Sequence, residues 1–256
     1  MTLYVNKVGR GSKIVFLHGW GFNSAVWHQA VDKLQYQFEV TVIDLPGFGY
    51  SANDEGDFCF DDVVQRVADA IDDNVILVGW SMGGIIAQKI ASDYPRKVAK
   101  LVLLACNAQF VADSAWPYGI DANVLTSFSE SLLKDYKKTL HRFLLLQARG
   151  DENMRETVKE LKQRLFEHGE PKSNALSGGL RLLQSESFVD DLANIVQPVL
   201  IAQGRLDTLV PHSSGTEMLL KIPDGKLYLF EQAAHAPFIS HLEEFVTVLD
   251  DFVNVT

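Results

Sequence analysis

Gly79-Trp80-Ser81-Met82-Gly83 sets one hydroxyl between two glycines. It follows the apolar run Val75-Ile76-Leu77-Val78 and precedes Gly84 to Ala91, whose apolar residues recur at helical spacing. A side chain at position 79 or 83 would collide with backbone in so tight a strand-to-helix turn, and the serine itself is expected to be strained. The turn lifts Ser81 Oγ above a sheet edge, where the helix N-terminus offers N–H groups and partial positive charge. A serine hydroxyl needs a base to become a nucleophile. Of the seven histidines, His235 stands out, because Ala233-Ala234-His235-Ala236-Pro237-Phe238 follows the last apolar strand. In a parallel sheet such a loop gathers on the same edge as Ser81. The base in turn needs an acid to fix its tautomer and stabilise the imidazolium. Asp207, in Gly204-Arg205-Leu206-Asp207-Thr208, follows the strand that begins at Pro198, and Asp113 is the reserve.

Developing negative charge on an ester oxygen calls for two backbone donors. Met82 N–H, directly after the nucleophile, is one. The turn His18-Gly19-Trp20-Gly21 after an early strand supplies the other as Trp20 N–H. Trp20 and Trp80 adjoin these elements and are expected to line an apolar acyl pocket. Trp116 and Phe143 suit a pocket wall or the core equally. Among the other histidines, His18 precedes the glycine turn and is too early in the chain for the base. His28, His141 and His168 are expected on exposed helix faces, and His212 and His241 carry no distinct signal.

These residues must be held by a recurring pattern. Residues 13–17, 38–43, 75–78, 100–105, 198–202 and 226–230 read as strands, with helices over 23–34, from the N-cap Asp61 to about 71, and from 82 to Tyr94-Pro95. The alternation predicts an α/β fold with a mostly parallel central sheet and helices on both faces. It breaks between Asn107 and Ser187, where 121–131, 135–148, 152–168 and 173–184 read as helices. The economical organisation is a core of residues 1–108 and 186–256 with a helical cap, 109–185, inserted.

The absence of any apolar run near the roughly 18 residues that span a bilayer argues against a membrane protein. The N-terminal segment has no apolar stretch of a secretory leader, and Cys59 and Cys106 are too far apart to suggest a disulfide framework or metal spacing, so a reducing cytoplasm is expected. A net charge of −10 speaks against nucleic-acid binding. The charge is uneven: residues 134–164 carry nine Lys and Arg against five Asp and Glu, and the remainder carries 14 against 28. Lys138 and Arg142 lie one helical turn apart, and Arg155, Lys159 and Lys162 share a face. Such a patch suits an acidic partner, or a solvated surface with pairs such as Glu156–Lys159 and Glu160–Arg164.

Several of these stretches together resemble the α/β-hydrolase superfamily over the whole chain. They are His18-Gly19-Trp20-Gly21, Asp44-Leu45-Pro46-Gly47-Phe48-Gly49, Gly79-Trp80-Ser81-Met82-Gly83-Gly84, Trp116-Pro117, Arg142-Phe143-Leu144 with Gln147, and 233–241. More closely, the chain resembles the carboxylesterases of biotin synthesis that act on the methyl ester of pimeloyl-acyl carrier protein. That resemblance implies a Ser81–His235–Asp207 acyl-enzyme mechanism, an oxyanion hole of Trp20 and Met82, and substrate contacts from Trp80 and Phe143. It implies docking of the acidic carrier on Lys138, Arg142, Arg155, Lys159 and Lys162, no cofactor or metal, and a monomer. Lys138 and Lys159 stand where arginine is expected, which keeps the charge and loses the bidentate fork. A general short-acyl carboxylesterase without a carrier is the alternative.

Overall fold

A computed structural model describes residues 3–52 and 58–254; Met1, Thr2, residues 53–57, Val255 and Thr256, which the predicted core boundaries include, lie outside the described residues. Seven strands form one sheet: β1 (Val5–Gly9), β2 (Ser12–Leu17), β3 (Phe38–Ile43), β4 (Val75–Trp80), β5 (Val98–Leu104), β6 (Val199–Gly204) and β7 (Gly225–Phe230). Their order is β1-β3-β2-β4-β5-β6-β7, and every pairing is parallel except β1 with β3. All six residues of β4 and of β6 are buried, as expected of strands covered on both faces.

The helices are α1 (His28–Leu34), α2 (Phe60–Ala70), α3 (Met82–Asp93), α4 (Ala122–Lys134), α5 (Tyr136–Gln147), α6 (Met154–Arg164), α7 (Ser173–Ser185), α8 (His212–Leu219), α9 (Pro237–Ser240) and α10 (Leu242–Asn254). Among the described residues none is long and apolar enough to cross a membrane. The strands and helices of the sequence reading are present with ends displaced by a few residues. The antiparallel edge strand β1 and helices α8, α9 and α10 are additional to it. One cap assignment differs: Asp61 is not the N-cap of α2. Cys59 occupies that position, without a side-chain cap bond, and Asp61 and Asp62 lie inside the first turn. There their charge still favours the positive end of the helix dipole. Asp121 and Asp135 do cap α4 and α5, accepting from the N–H groups of Asn123 and Lys138.

Helices α4 to α7 all fall between β5 and β6. Where this excursion begins and ends, Gln109 bridges Ser187 and Phe188 N–H donates to Ala108 O at 2.9 Å. Its later part is tied to the core by polar bonds. Trp20 Nε1 donates to Leu176 O (2.8 Å), Asn23 Nδ2 to Arg164 O and Leu165 O (3.3 and 3.2 Å), and Lys172 N–H to Gly47 O (2.9 Å).

Candidate functional site

Ser81 caps α3 with φ 55° and ψ −119°, a left-handed backbone that an L-residue adopts only under constraint. The constraint is visible on both sides. Ser81 N–H donates to Leu104 O at 3.0 Å, and Ser81 O accepts from Gly84 N–H at 2.9 Å. A Cβ on Gly79 would enter the Gly83 carbonyl, and one on Gly83 would stand 2.5 Å from Leu17 O. The expected glycine requirement is thus a close approach of three backbone segments.

His235 lies in the loop after β7. Its Nδ1 is 2.7 Å from Asp207 Oδ2. Asp207 Oδ1 takes the N–H groups of Leu209 and Val210, at 2.8 and 3.0 Å, so one carboxylate oxygen is anchored and the other faces the imidazole. This assigns the proton of the pair to Nδ1 and leaves Nε2 as the lone-pair nitrogen. Nε2 is buried and, among the described residues, has no hydrogen-bond partner, the Ser81 hydroxyl included. Ser81 and His235 nevertheless line the same cavity of about 210 Å³. Serine–histidine bonds are commonly long in unliganded enzymes and tighten around substrate. The acid and base loops are packed on each other. Leu206 N–H donates to Ala233 O at 3.0 Å, and Gly204 has no room for a Cβ, which would sit 2.6 Å from that same carbonyl and closer still to Ala234 O.

The rest of the cavity wall is mostly apolar, from Trp20, Phe110, Leu125, Phe128, Phe143 and Leu180 among others, with the hydroxyl residues Ser127, Ser131 and Thr139 and, among the described residues, Arg142 as its one charged side chain. Trp20 is edge-on to Phe128 and Phe143, each at 5.3 Å. Trp80 lies outside the cavity. Its indole packs against Phe22, Trp27 and Phe238 and donates from Nε1 to the His235 carbonyl at 2.8 Å. Trp116 is likewise interior, bonded to Asn107 Oδ1. Met82 is fully buried at the first position of α3. Asp113 is exposed and bonds the N–H groups of Ala115 and Trp116, away from His235.

One histidine departs from expectation. His168 is not on a helix surface: α6 ends at Arg164, and His168 sits in the following turn with Nδ1 3.1 Å from Asp44 Oδ2 and its ring stacked on Tyr50. Asn23, by taking the carbonyls of residues 164 and 165, turns the chain there. Burial raises the Asp44 carboxyl, but bonds from His168 and Ser24, with the nearby His18, outweigh it and hold the group below its ordinary value. His18 is a structural residue whose Nε2 accepts from Leu45 N–H at 3.0 Å. Burial pushes it from its ordinary 6.5 down to about 4. The unfolded chain therefore binds the extra proton between those values. This stability is complete above pH 6.5 and declines as pH falls towards about 4, by about 3 kcal/mol. Urea unfolding at pH 7 and pH 4.5 is expected to show that loss, with a smaller difference in His18→Gln.

Lys138, Arg142, Arg155, Lys159 and Lys162 are all exposed on the adjacent helices α5 and α6, and none has an ion-pair partner among the described residues. Of the two surface pairs considered, Glu160–Arg164 forms at 2.7 Å and Glu156–Lys159 does not. The sequence reading missed Asp151, a buried carboxylate that accepts from Ala234 N–H beside His235, and the Gln147 carbonyl, which accepts from His235 N–H. Asp151 stands in none of the motifs singled out, and Gln147, quoted with Arg142-Phe143-Leu144, acts here through its backbone carbonyl, to which no side-chain pattern points.

Residues 13–242 match the family model for the alpha/beta hydrolase fold. Solved structures share that fold across nearly the whole chain. An esterase from Exiguobacterium antarcticum is 23% identical with a TM-score of 0.90, covering 99% of this chain and 96% of its own. A bromoperoxidase from Bacillus anthracis is 22% identical with a TM-score of 0.91, covering 99% and 95%. Curated relatives are nearer in sequence. The pimeloyl-[acyl-carrier protein] methyl ester esterase of Vibrio parahaemolyticus is 39% identical over 98% of both chains. Its namesake from Aeromonas hydrophila is 37% identical over 99% of this chain and 100% of its own. With this full-length identity and this sheet, the chain belongs to the α/β hydrolase fold family and, within it, to the family of the pimeloyl-[acyl-carrier protein] methyl ester esterases.

Proposed function

We propose that this protein is a serine carboxylesterase that hydrolyses the methyl ester of pimeloyl-acyl carrier protein, giving pimeloyl-acyl carrier protein and methanol for biotin synthesis. The observation that carries the chemistry is the buried Asp207–His235 pair at 2.7 Å, whose unpartnered Nε2 shares an apolar cavity with Ser81. The relatives' names supply the substrate.

In the first step Ser81 Oγ attacks the ester carbonyl and its proton passes to His235 Nε2. Asp207 stabilises the resulting imidazolium. The N–H groups of Trp20 and Met82 hold the oxyanion. Collapse of the tetrahedral intermediate breaks the bond to the methoxy oxygen, which takes the proton from His235 and leaves as methanol. Water, deprotonated by the same nitrogen, then opens the acyl-serine and returns the proton to Ser81. The net change is ester plus water to acid plus methanol. Trp20 and Phe143 hold the chain through apolar contact, and Trp80 supports the histidine loop from behind. The protein acts as a monomer in the cytoplasm, and residues 109–185 form a helical cap inserted in the core of residues 1–108 and 186–256.

The acidic carrier docks on Lys138, Arg142, Arg155, Lys159 and Lys162. Five cations without an ion-pair partner among the described residues, on one pair of helices of an otherwise acidic protein, support this reading. Reversing Arg155 and Lys159 to Glu, neither of which lines the cavity, is expected to lower kcat/KM on the carrier-bound ester at least tenfold at low salt, and to leave a short free ester within about twofold. Initial rates at low and high salt check this. Equal loss on both substrates refutes carrier docking and favours a general short-acyl carboxylesterase.

A further inference from the structure

Asp151 is a carboxylate 6% exposed that, among the described residues, meets no cation. A buried charge is tolerated only where strong hydrogen bonds replace water. Its partners are backbone groups on two different segments. Oδ1 accepts from Asn153 N–H at 2.7 Å, a local turn within the α5–α6 connector. Oδ2 reaches across to Ala234 N–H at 3.3 Å, the residue before His235.

That bond belongs to a seam. His235 N–H donates to Gln147 O at 2.9 Å, Glu152 N–H to Gln232 O at 3.3 Å, and Asn153 Nδ2 to Ser240 O at 3.0 Å. Residues 147–153, at the junction of α5 and α6, thus hold the histidine loop from 232 to 240. Asp207 fixes the imidazole ring through Nδ1, but the ring swings with its backbone. The backbone is located from the cap side, and among the described residues Asp151 is the one side-chain anion in that seam that accepts from the amide next to the base.

We propose that Asp151 is a positioning residue for the hydrolysis. Its carboxylate registers the Ala234–His235 backbone so that Nε2 faces Ser81, and it makes the cap connector and the histidine loop one mechanical unit. This rests on the serine–histidine reading above. A displacement of about 1 Å at a reacting group costs on the order of 10²-fold in rate, while substrate binding in the apolar cavity is unaffected.

The test uses the full chain and p-nitrophenyl butyrate, a short ester that needs no carrier. Asp151→Ala removes both bonds. Asp151→Ser retains a hydroxyl for the local turn at Asn153 but is too short to reach Ala234. Asp151→Asn has one acceptor oxygen for two N–H groups; the shorter bond, to Asn153, takes it and turns the NH₂ group against Ala234 N–H. The Ala, Ser and Asn variants are expected to lose about 10- to 100-fold in kcat with KM within about twofold. An unchanged kcat in the Ser variant overturns the proposal. So does a loss confined to KM. If Asp151→Ala does not fold, the Ser and Asn variants decide. His235→Ala separates this from the underlying reading: full activity there refutes the triad, whereas an inactive His235→Ala beside a normal Asp151→Ser refutes only the positioning role.

Discussion

Ser81→Ala is expected to lower kcat on a carboxylic ester by on the order of 10⁶-fold, leaving only the residual rate that binding and the oxyanion donors provide. The size of the effect follows from the site's construction. Ser81 is held at φ 55° between Leu104 and Gly84 by backbone bonds, so removing one oxygen leaves the turn intact and the fold undisturbed. The loss is therefore chemical, with KM little changed. Initial rates on p-nitrophenyl butyrate, together with a fluorophosphonate probe that labels wild type and not the variant, check it. A variant that keeps more than a hundredth of the wild-type rate would identify another nucleophile.

Asp207→Asn has the next largest expected effect, about 10⁴-fold in kcat. The carboxylate takes two backbone N–H groups through Oδ1 and faces the imidazole through Oδ2. An asparagine that keeps its oxygen on Leu209 and Val210 must turn its NH₂ group towards Nδ1. That stabilises the tautomer with the proton on Nε2, the wrong nitrogen for taking one from Ser81, and leaves the imidazolium without a counter-charge. The geometry survives and the function does not. An unaltered melting temperature with a rate loss below tenfold would show that another acid serves His235. Asp113, exposed and engaged with Ala115 and Trp116, is badly placed for it.

The nucleophile turn was the most legible part of the chain because its requirement is local. Gly79 and Gly83 stand where no Cβ fits, and the strand and helix around them announce themselves by period. The sheet was legible for a related reason: strands buried on both faces, such as β4 and β6, read as continuous apolar runs. β1 did not, since its two faces are only partly covered and Val5-Asn6-Lys7-Val8 has no clean alternation. Helix α10 carries a signal in Phe245, Leu249 and Phe252 at i, i+4 and i+7, yet it lies remote from the chemistry that guided the reading. Asp61 was misplaced by two residues because an acidic first turn and an acidic cap look alike in sequence. His168 and Asp151 were beyond reach. Each owes its position to a partner more than eighty residues away, Asp44 for one and Ala234 for the other. Trp80 shows the same limit, since proximity in sequence to Ser81 puts it beneath the histidine loop and not in the pocket.

The bridge between Gln109 and Ser187 has an evolutionary consequence. A chain that departs and returns through neighbouring residues encloses its excursion much as parentheses enclose a phrase. Changes within it reach the cavity wall, which draws Val124, Phe128, Phe143 and Leu180 from it, while all seven strands of the sheet lie outside it. The seam at 147–153 is the exception, since a change there also touches the loop that carries His235.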